Sequence, residues 1–186
     1  MGQSKILLDS NTYFRLAKDI HPLLDTTFGT ENYCLYVLKE LDGEFYRSRR
    51  LQSKFAWVED EEFRSNRKKR LTISRKDKNA IRLAVEFIQR EGIDQGFGIS
   101  QVDSLCLAYG HVLSLPVITD DVEMLQVGSD FSIGVMTTLE LLRLMLDSGH
   151  IDEENVRRIA TYWIYLGDTP ANFRADFVRL IGQWPP

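Results

Sequence analysis

The sequence predicts an α/β fold, a mostly parallel sheet covered by helices on both faces. Three observations carry that prediction. Short apolar runs at Lys5–Leu8, Leu115–Thr119 and Phe131–Met136 read as buried strands. Apolar stripes at helical spacing separate them, and no hairpin signal joins one run to the next. The chain of 186 residues is 44% hydrophobic, enough for one sizeable core, and no linker is long enough to detach a second domain.

The elements follow in order. Lys5–Leu8 ends in Asp9, and Ser10 or Asn11 can cap a helix running towards Ile20. After Pro22 and Gly29, the spacing of Tyr33, Tyr36, Val37 and Leu41 predicts a second helix stopped by Gly43, with Glu40 in its last turn. An acid there faces the negative end of the helix dipole. The stretch from Glu44 to Arg75 mixes charge with scattered aromatics and reads as a helical hairpin or a loop. Ile81, Ala84, Val85, Phe87 and Ile88 form a clear helical stripe closed by Gly92. Ser100 opens a helix carrying Val102, Leu105, Cys106 and Tyr109. The strand Leu115–Thr119 runs into Asp120, Asp121 and a short helical turn at Val122–Gln126. Thr137 and Glu140 form a capping box for the next helix. Two further helices follow Asp152 and Thr169-Pro170.

Charge is unevenly placed. The net charge is −4, yet Phe45–Lys78 holds twelve Lys or Arg against five Asp or Glu. A basic segment on an acidic body points to a polyanionic partner meeting one region. Cys34 and Cys106 read as buried thiols of a reducing compartment, and His21, His111 and His150 have no zinc-ligand spacing. Without a long apolar run or a cleavable leader, the chain reads as soluble and cytoplasmic, with no membrane partner.

In an open parallel sheet the ligand site lies beyond the carboxyl ends of the strands, where strand order reverses. Asp9, Asp120 and Asp121 follow strands directly, and Asp103 opens a helix on the same edge. Carboxylates converging there repel one another unless protonated or bridged by cations. Mg²⁺ or Mn²⁺ suits oxygen donors plus water, and such ions can activate water against a phosphodiester without any His or Cys. Each acid also has a plainer reading. Ser100 and Asp103 form a capping box, Asp9 fits ordinary strand-to-helix turn chemistry, Glu40 fits a solvated surface, and Asp120 or Asp121 can cap the following helix.

The segments I-L-L-D-S-N-T, Y-V-L-K-E-L, Q-V-D-S-L-C-L-A-Y-G and P-V-I-T-D-D, in this order, resemble the PIN-domain nucleases over roughly residues 4–147. The resemblance implies a PIN-like three-layer fold. Residues 1–147 would form the nuclease domain, with a basic insertion at about 45–78, and residues 148–186 a C-terminal helical extension packed on it. It also implies that Asp9, Glu40, Asp103 and Asp121 bind Mg²⁺ or Mn²⁺ and are catalytic. Asn11 and Thr119 would support the cluster, Asp120 would assist it, and Glu123 would be an outer ligand. The implied activity is endoribonuclease cleavage of single-stranded or tRNA-like RNA. Many small bacterial members are toxins silenced by an antitoxin protein and form homodimers, although this chain is longer than a minimal toxin. The run Arg64, Arg67, Lys68, Lys69, Arg70 beside Phe55, Trp57 and Phe63 could track a strand by charge and base stacking, or form a solvated helix face.

Two alternatives remain. Asp9-Ser-Asn-Thr12 and Asp120-Asp121 resemble the motifs of haloacid-dehalogenase-like phosphatases, with Asn11 where that family has its second Asp. A non-cleaving PIN-like module that docks RNA or protein would use the basic segment alone. A receiver-type domain lacks its paired first acids and late Lys.

Overall fold

The computed structural model describes residues 2–186. Its centre is a five-stranded sheet built from β1 (Ser4–Leu8), β2 (Thr27–Phe28), β3 (Tyr33–Val37), β4 (Val117–Ile118) and β5 (Val135–Met136) in the order β2-β3-β1-β4-β5. β1 lies parallel to β3 and β4, with Leu8 opposite Val37 on one side and Ile118 on the other. β5 is parallel to β4, whereas β2 is antiparallel to β3. The chain leaves β1 towards β3 and later returns to β4 on the opposite side. The reversal of strand order therefore falls between β1 and β4, directly beyond Leu8 and Ile118.

Alternation along β1 feeds two apolar layers. Ile6 and Leu8 join one core with Tyr13, Phe14, Phe45, Phe55, Leu142, Trp163 and Phe177. Leu7 joins the other with Cys34, Ile88, Cys106, Leu107, Val117 and Val127. The first is covered by α1 (Ser10–Leu16), α8 (Thr138–Asp147), α9 (Glu153–Leu166) and α10 (Phe173–Ile181), and the second by α5 (Arg75–Asp94), α6 (Gln101–Leu113) and α7 (Val122–Asp130). Gly110 lets α6 settle onto β4: a Cβ there would lie 2.5 Å from Val117 Cγ2. Residues of α9 and α10 belong to the same core as α1, and the Trp163 indole N–H donates to the Arg15 carbonyl at 3.2 Å.

Two expectations are overturned here. Tyr33–Val37 is a strand, not a helix. Four of its five residues are buried on a strand covered from both faces, so it shows no polar alternation, and its apolar spacing fits either period. A short hairpin also exists, since β2 pairs with β3 across a turn using positive φ at Gly29 (68°) and Asn32 (52°). The helix that follows β3 is α2 (Glu40–Arg47), so Glu40 opens it and sits at the favourable, positive end of its dipole.

The basic segment folds as α3 (Arg49–Lys54), a 3₁₀ turn at Ala56–Glu59 and α4 (Glu61–Asn66), anchored by buried Phe55, Val58 and Phe63. Among the described residues no helix is long and apolar enough to cross a membrane.

Candidate active site

Asp9 begins where β1 ends. Its backbone N–H still bonds the Ile118 carbonyl at 3.0 Å, while its side chain caps α1 by accepting from Thr12 N at 2.6 Å. The second carboxyl oxygen accepts from the Thr119 hydroxyl at 2.7 Å, and that hydroxyl oxygen accepts from Asp121 N at 3.1 Å. Thr119 thus laces the ends of β1 and β4 across the reversal point. Asp9 is only 4% exposed. Burial raises its carboxyl from 3.8 to about 6, with the Asp120 charge adding and the Thr119 and Thr12 hydrogen bonds opposing.

Asp103 lies in the first turn of α6. Ser100 and Asp103 form a reciprocal capping box, with Asp103 Oδ2 accepting from Ser100 N at 3.2 Å. The capping reading of Asp103 is therefore correct, but a cap uses one oxygen and leaves the other free. Asp9, Ser10, Leu38, Leu41, Asp103 and Cys106 line one narrow hollow of about 10 Å³, close to the room one water needs.

A third acid, which the sequence reading passed over, joins them. Glu44, one turn along α2 from Glu40, accepts a short hydrogen bond from the Ser10 hydroxyl. Burial raises its carboxyl and the Asp103 charge raises it further, against the Ser10 bond. Cys106 is fully buried beneath this group. Burial first, then the charges of Asp9, Asp103 and Glu44, pushes its thiol well above the usual value, so it stays neutral.

The other predicted residues stand apart from this hollow. Glu40 lines a neighbouring groove with Lys39, Lys78 and Tyr109, 4.0 Å from Lys39 Nζ. Asp121 caps α7, its Oδ1 accepting from Glu123 N and Met124 N, both at 2.9 Å. Asp120 reaches Asp9 only through its charge; its oxygens accept from Thr138 N at 2.9 Å, Thr138 Oγ1 at 2.5 Å and Arg15 Nη1 at 2.5 Å, which fastens β4 to α8 and α1. Glu123 Oε2 accepts from Gly98 N at 2.7 Å. Asn11 is exposed and reaches no carboxylate; it lines a separate hollow between α1 and α3.

The strand-tracking surface is also corrected. Arg67 is 3% exposed and holds the fold together, bonding Asp42 Oδ1 at 3.1 Å, the Tyr13 hydroxyl at 3.1 Å and the Val58 carbonyl at 3.0 Å. Lys68 pairs with Glu61, Lys69 with Asp25, and Arg70 with Asp42. Phe55 and Phe63 are core residues and offer no face for a base, and the half-buried Trp57 packs against both. Of the five predicted cations, only Arg64 is exposed without an acid partner among the described residues.

Asp9, Asp103 and Glu44 offer only carboxylate oxygens, the donor type that hard divalent ions take. Among the described residues no three His, Cys, Asp or Glu side chains yet close around one point. Two or three carboxylates with water completing the shell is an arrangement Mg²⁺ accepts. Burial, more than the neighbouring charge, raises the carboxyls of Asp9 and Glu44, and a bound cation would favour their ionised forms. Comparison with protein-family models, curated proteins and solved structures finds no match for this chain.

Proposed function

We propose that this chain is a PIN-type endoribonuclease that uses Mg²⁺ or Mn²⁺ to hydrolyse phosphodiester bonds of RNA. The observation that carries the reading is that Asp9 and Asp103 line one hollow at the β1/β4 reversal point, with Glu44 held at its rim by Ser10 and within reach of the Asp103 charge. Asp9 and Asp103 would hold the ion, with Glu44 reaching it directly or through water. The ion would supply Lewis acidity and a more acidic bound water. The protein's part is positioning. Thr119 and Thr12 fix both oxygens of Asp9, the Ser100 cap orients Asp103, and Ser10 orients Glu44. In the reaction a water oxygen bonds to phosphorus as the bond to the leaving ribose oxygen breaks, and the carboxylates take up the released proton.

Labelled single-stranded RNA incubated with Mg²⁺ or Mn²⁺, with EDTA, and with an Asp9→Asn/Asp103→Asn variant tests the proposal. Asn keeps the capping acceptor at both positions, so the variant should fold. Cutting that needs metal and vanishes in the variant supports it. One observation favours a second reading, a non-cleaving RNA-binding module: Asp120 is wholly engaged and Asp121 half engaged in structural bonds. RNA that is bound but never cut with either metal selects that reading.

A further inference from the structure

A second hollow, of about 250 Å³, lies between α1 and α3. Asn11 and Arg15 line it from α1, Ser48, Arg50 and Lys54 from α3 and its cap, and Asp168 from the turn after α9. Three cations face one acid. Asp168 holds Lys54 at 2.9 Å and Arg15 at 3.5 Å. Burial alone would raise the Asp168 carboxyl, but these two neighbours hold it below its ordinary value.

The cations are not all satisfied. Arg15 gives Nη1 to Asp120, yet its Nε is buried with no partner. A buried guanidinium N–H left open is unfavourable, so the hydrogen bonding around Arg15 is incomplete. Arg50 is exposed and pairs with no acid among the described residues. A guanidinium fork suits a phosphate geometrically, and a lysine adds a point charge.

The two hollows share no lining residue, but short stretches of chain join them. Asn11 is two residues from Asp9, and Ser48 is one helical turn beyond Glu44, whose carboxylate meets Ser10 at the edge of the acid site. Three carboxylates by themselves repel a nucleic-acid backbone, so a strand needs cations alongside them to lie down there.

We propose that the α1–α3 hollow binds a backbone phosphate of the RNA strand that the acid site cuts, with the unpaired Arg50 as the direct contact and Arg15 and Lys54, which share Asp168, adding positive charge behind it. The proposal rests on the nuclease reading for where the strand is cut, but not for whether it binds.

The test is fluorescence anisotropy of a labelled single-stranded RNA oligonucleotide in EDTA, with the wild-type chain and an Arg50→Ala/Lys54→Ala variant. Losing the charges that neutralise this one phosphate should lower the slope of log affinity against log salt by about 0.7. The affinity gap between the two proteins then narrows about 2.6-fold between about 50 and 200 mM salt. Arg50→Glu alone, at an exposed position that cannot unfold the chain, should weaken binding further than Arg50→Ala. Unchanged affinity and slope in both variants overturn the proposal. If the variants lose RNA binding but the wild type never cuts RNA with Mg²⁺ or Mn²⁺, the phosphate site stands and the nuclease reading falls. If the wild type cuts while the variants bind as before, the reverse holds.

Discussion

Asp9 gives the sharpest test of the site because its burial sets a sign that changes with pH. In the folded chain its carboxyl titrates at about 6, against 3.8 as the unperturbed value. Between those values the folded chain keeps a proton that the unfolded chain has released. Stability therefore falls as pH rises through this window, and the loss is complete above about 6. At 1.36 kcal/mol per pH unit, ionised Asp9 costs the metal-free fold roughly 3 kcal/mol. Asp9→Asn removes the ionisation and keeps the acceptor for Thr12 N. The Thr119 hydroxyl must then accept where it donated, a rearrangement worth about 1 kcal/mol. The variant should be roughly 2 kcal/mol more stable than wild type near pH 8, and about 1 kcal/mol less stable near pH 4. Urea unfolding in EDTA, followed by tryptophan fluorescence across that range, measures both. An Asp9→Asn variant that is less stable than wild type by the same amount at every pH would refute the reasoning, since the carboxyl would then carry no ionisation penalty.

Two further outcomes follow from the geometry. Glu44→Gln should lower metal-dependent RNA cleavage by roughly 10- to 100-fold, whereas Glu40→Gln, outside the hollow, should lower it by less; initial rates at saturating Mg²⁺ decide, and the opposite ranking would return Glu40 to the site. Arg67→Ala leaves the Tyr13 hydroxyl and the Val58 carbonyl without a partner and should cost about 3 kcal/mol in urea unfolding, while a loss under about 1 kcal/mol would show that water replaces the guanidinium there.

The parts of the site built from local chemistry were legible. Asp9 follows a short apolar run and precedes Ser-Asn-Thr, so strand, cap and helix are adjacent in sequence, and the Ser100–Asp103 cap is likewise local. The second acid was not, because it depends on where a helix starts. With Tyr33–Val37 read as helix, Glu40 fell in a last turn; once those residues form β3, the helix begins at Glu40 and Glu44 becomes the residue that meets Ser10. Both acids lie on one helical face, four residues apart, so sequence spacing alone could not choose between them. The basic segment misled for a different reason. Its acid partners Asp25 and Asp42 lie outside it, and a burial as complete as that of Arg67 depends on contacts with Tyr13 that no window of sequence contains. Charges that look free in one dimension are paired in three.

Arg15 touches Asp120 at the end of β4, Asp168 beyond α9, and, through its carbonyl, the indole of Trp163. The helix that begins at Asp9 is thereby fastened to the C-terminal helices by the same residue that lines the α1–α3 hollow. Such fastening sets a condition on the fold: loosening α9 would release the Trp163 indole from the Arg15 carbonyl and Asp168 from the Arg15 guanidinium, so a disturbance of the C-terminal helices reaches the helix that starts at Asp9. Amide exchange in Glu153–Leu166 should therefore rise in an Arg15→Ala variant, a remote reading of how firmly α1 is held.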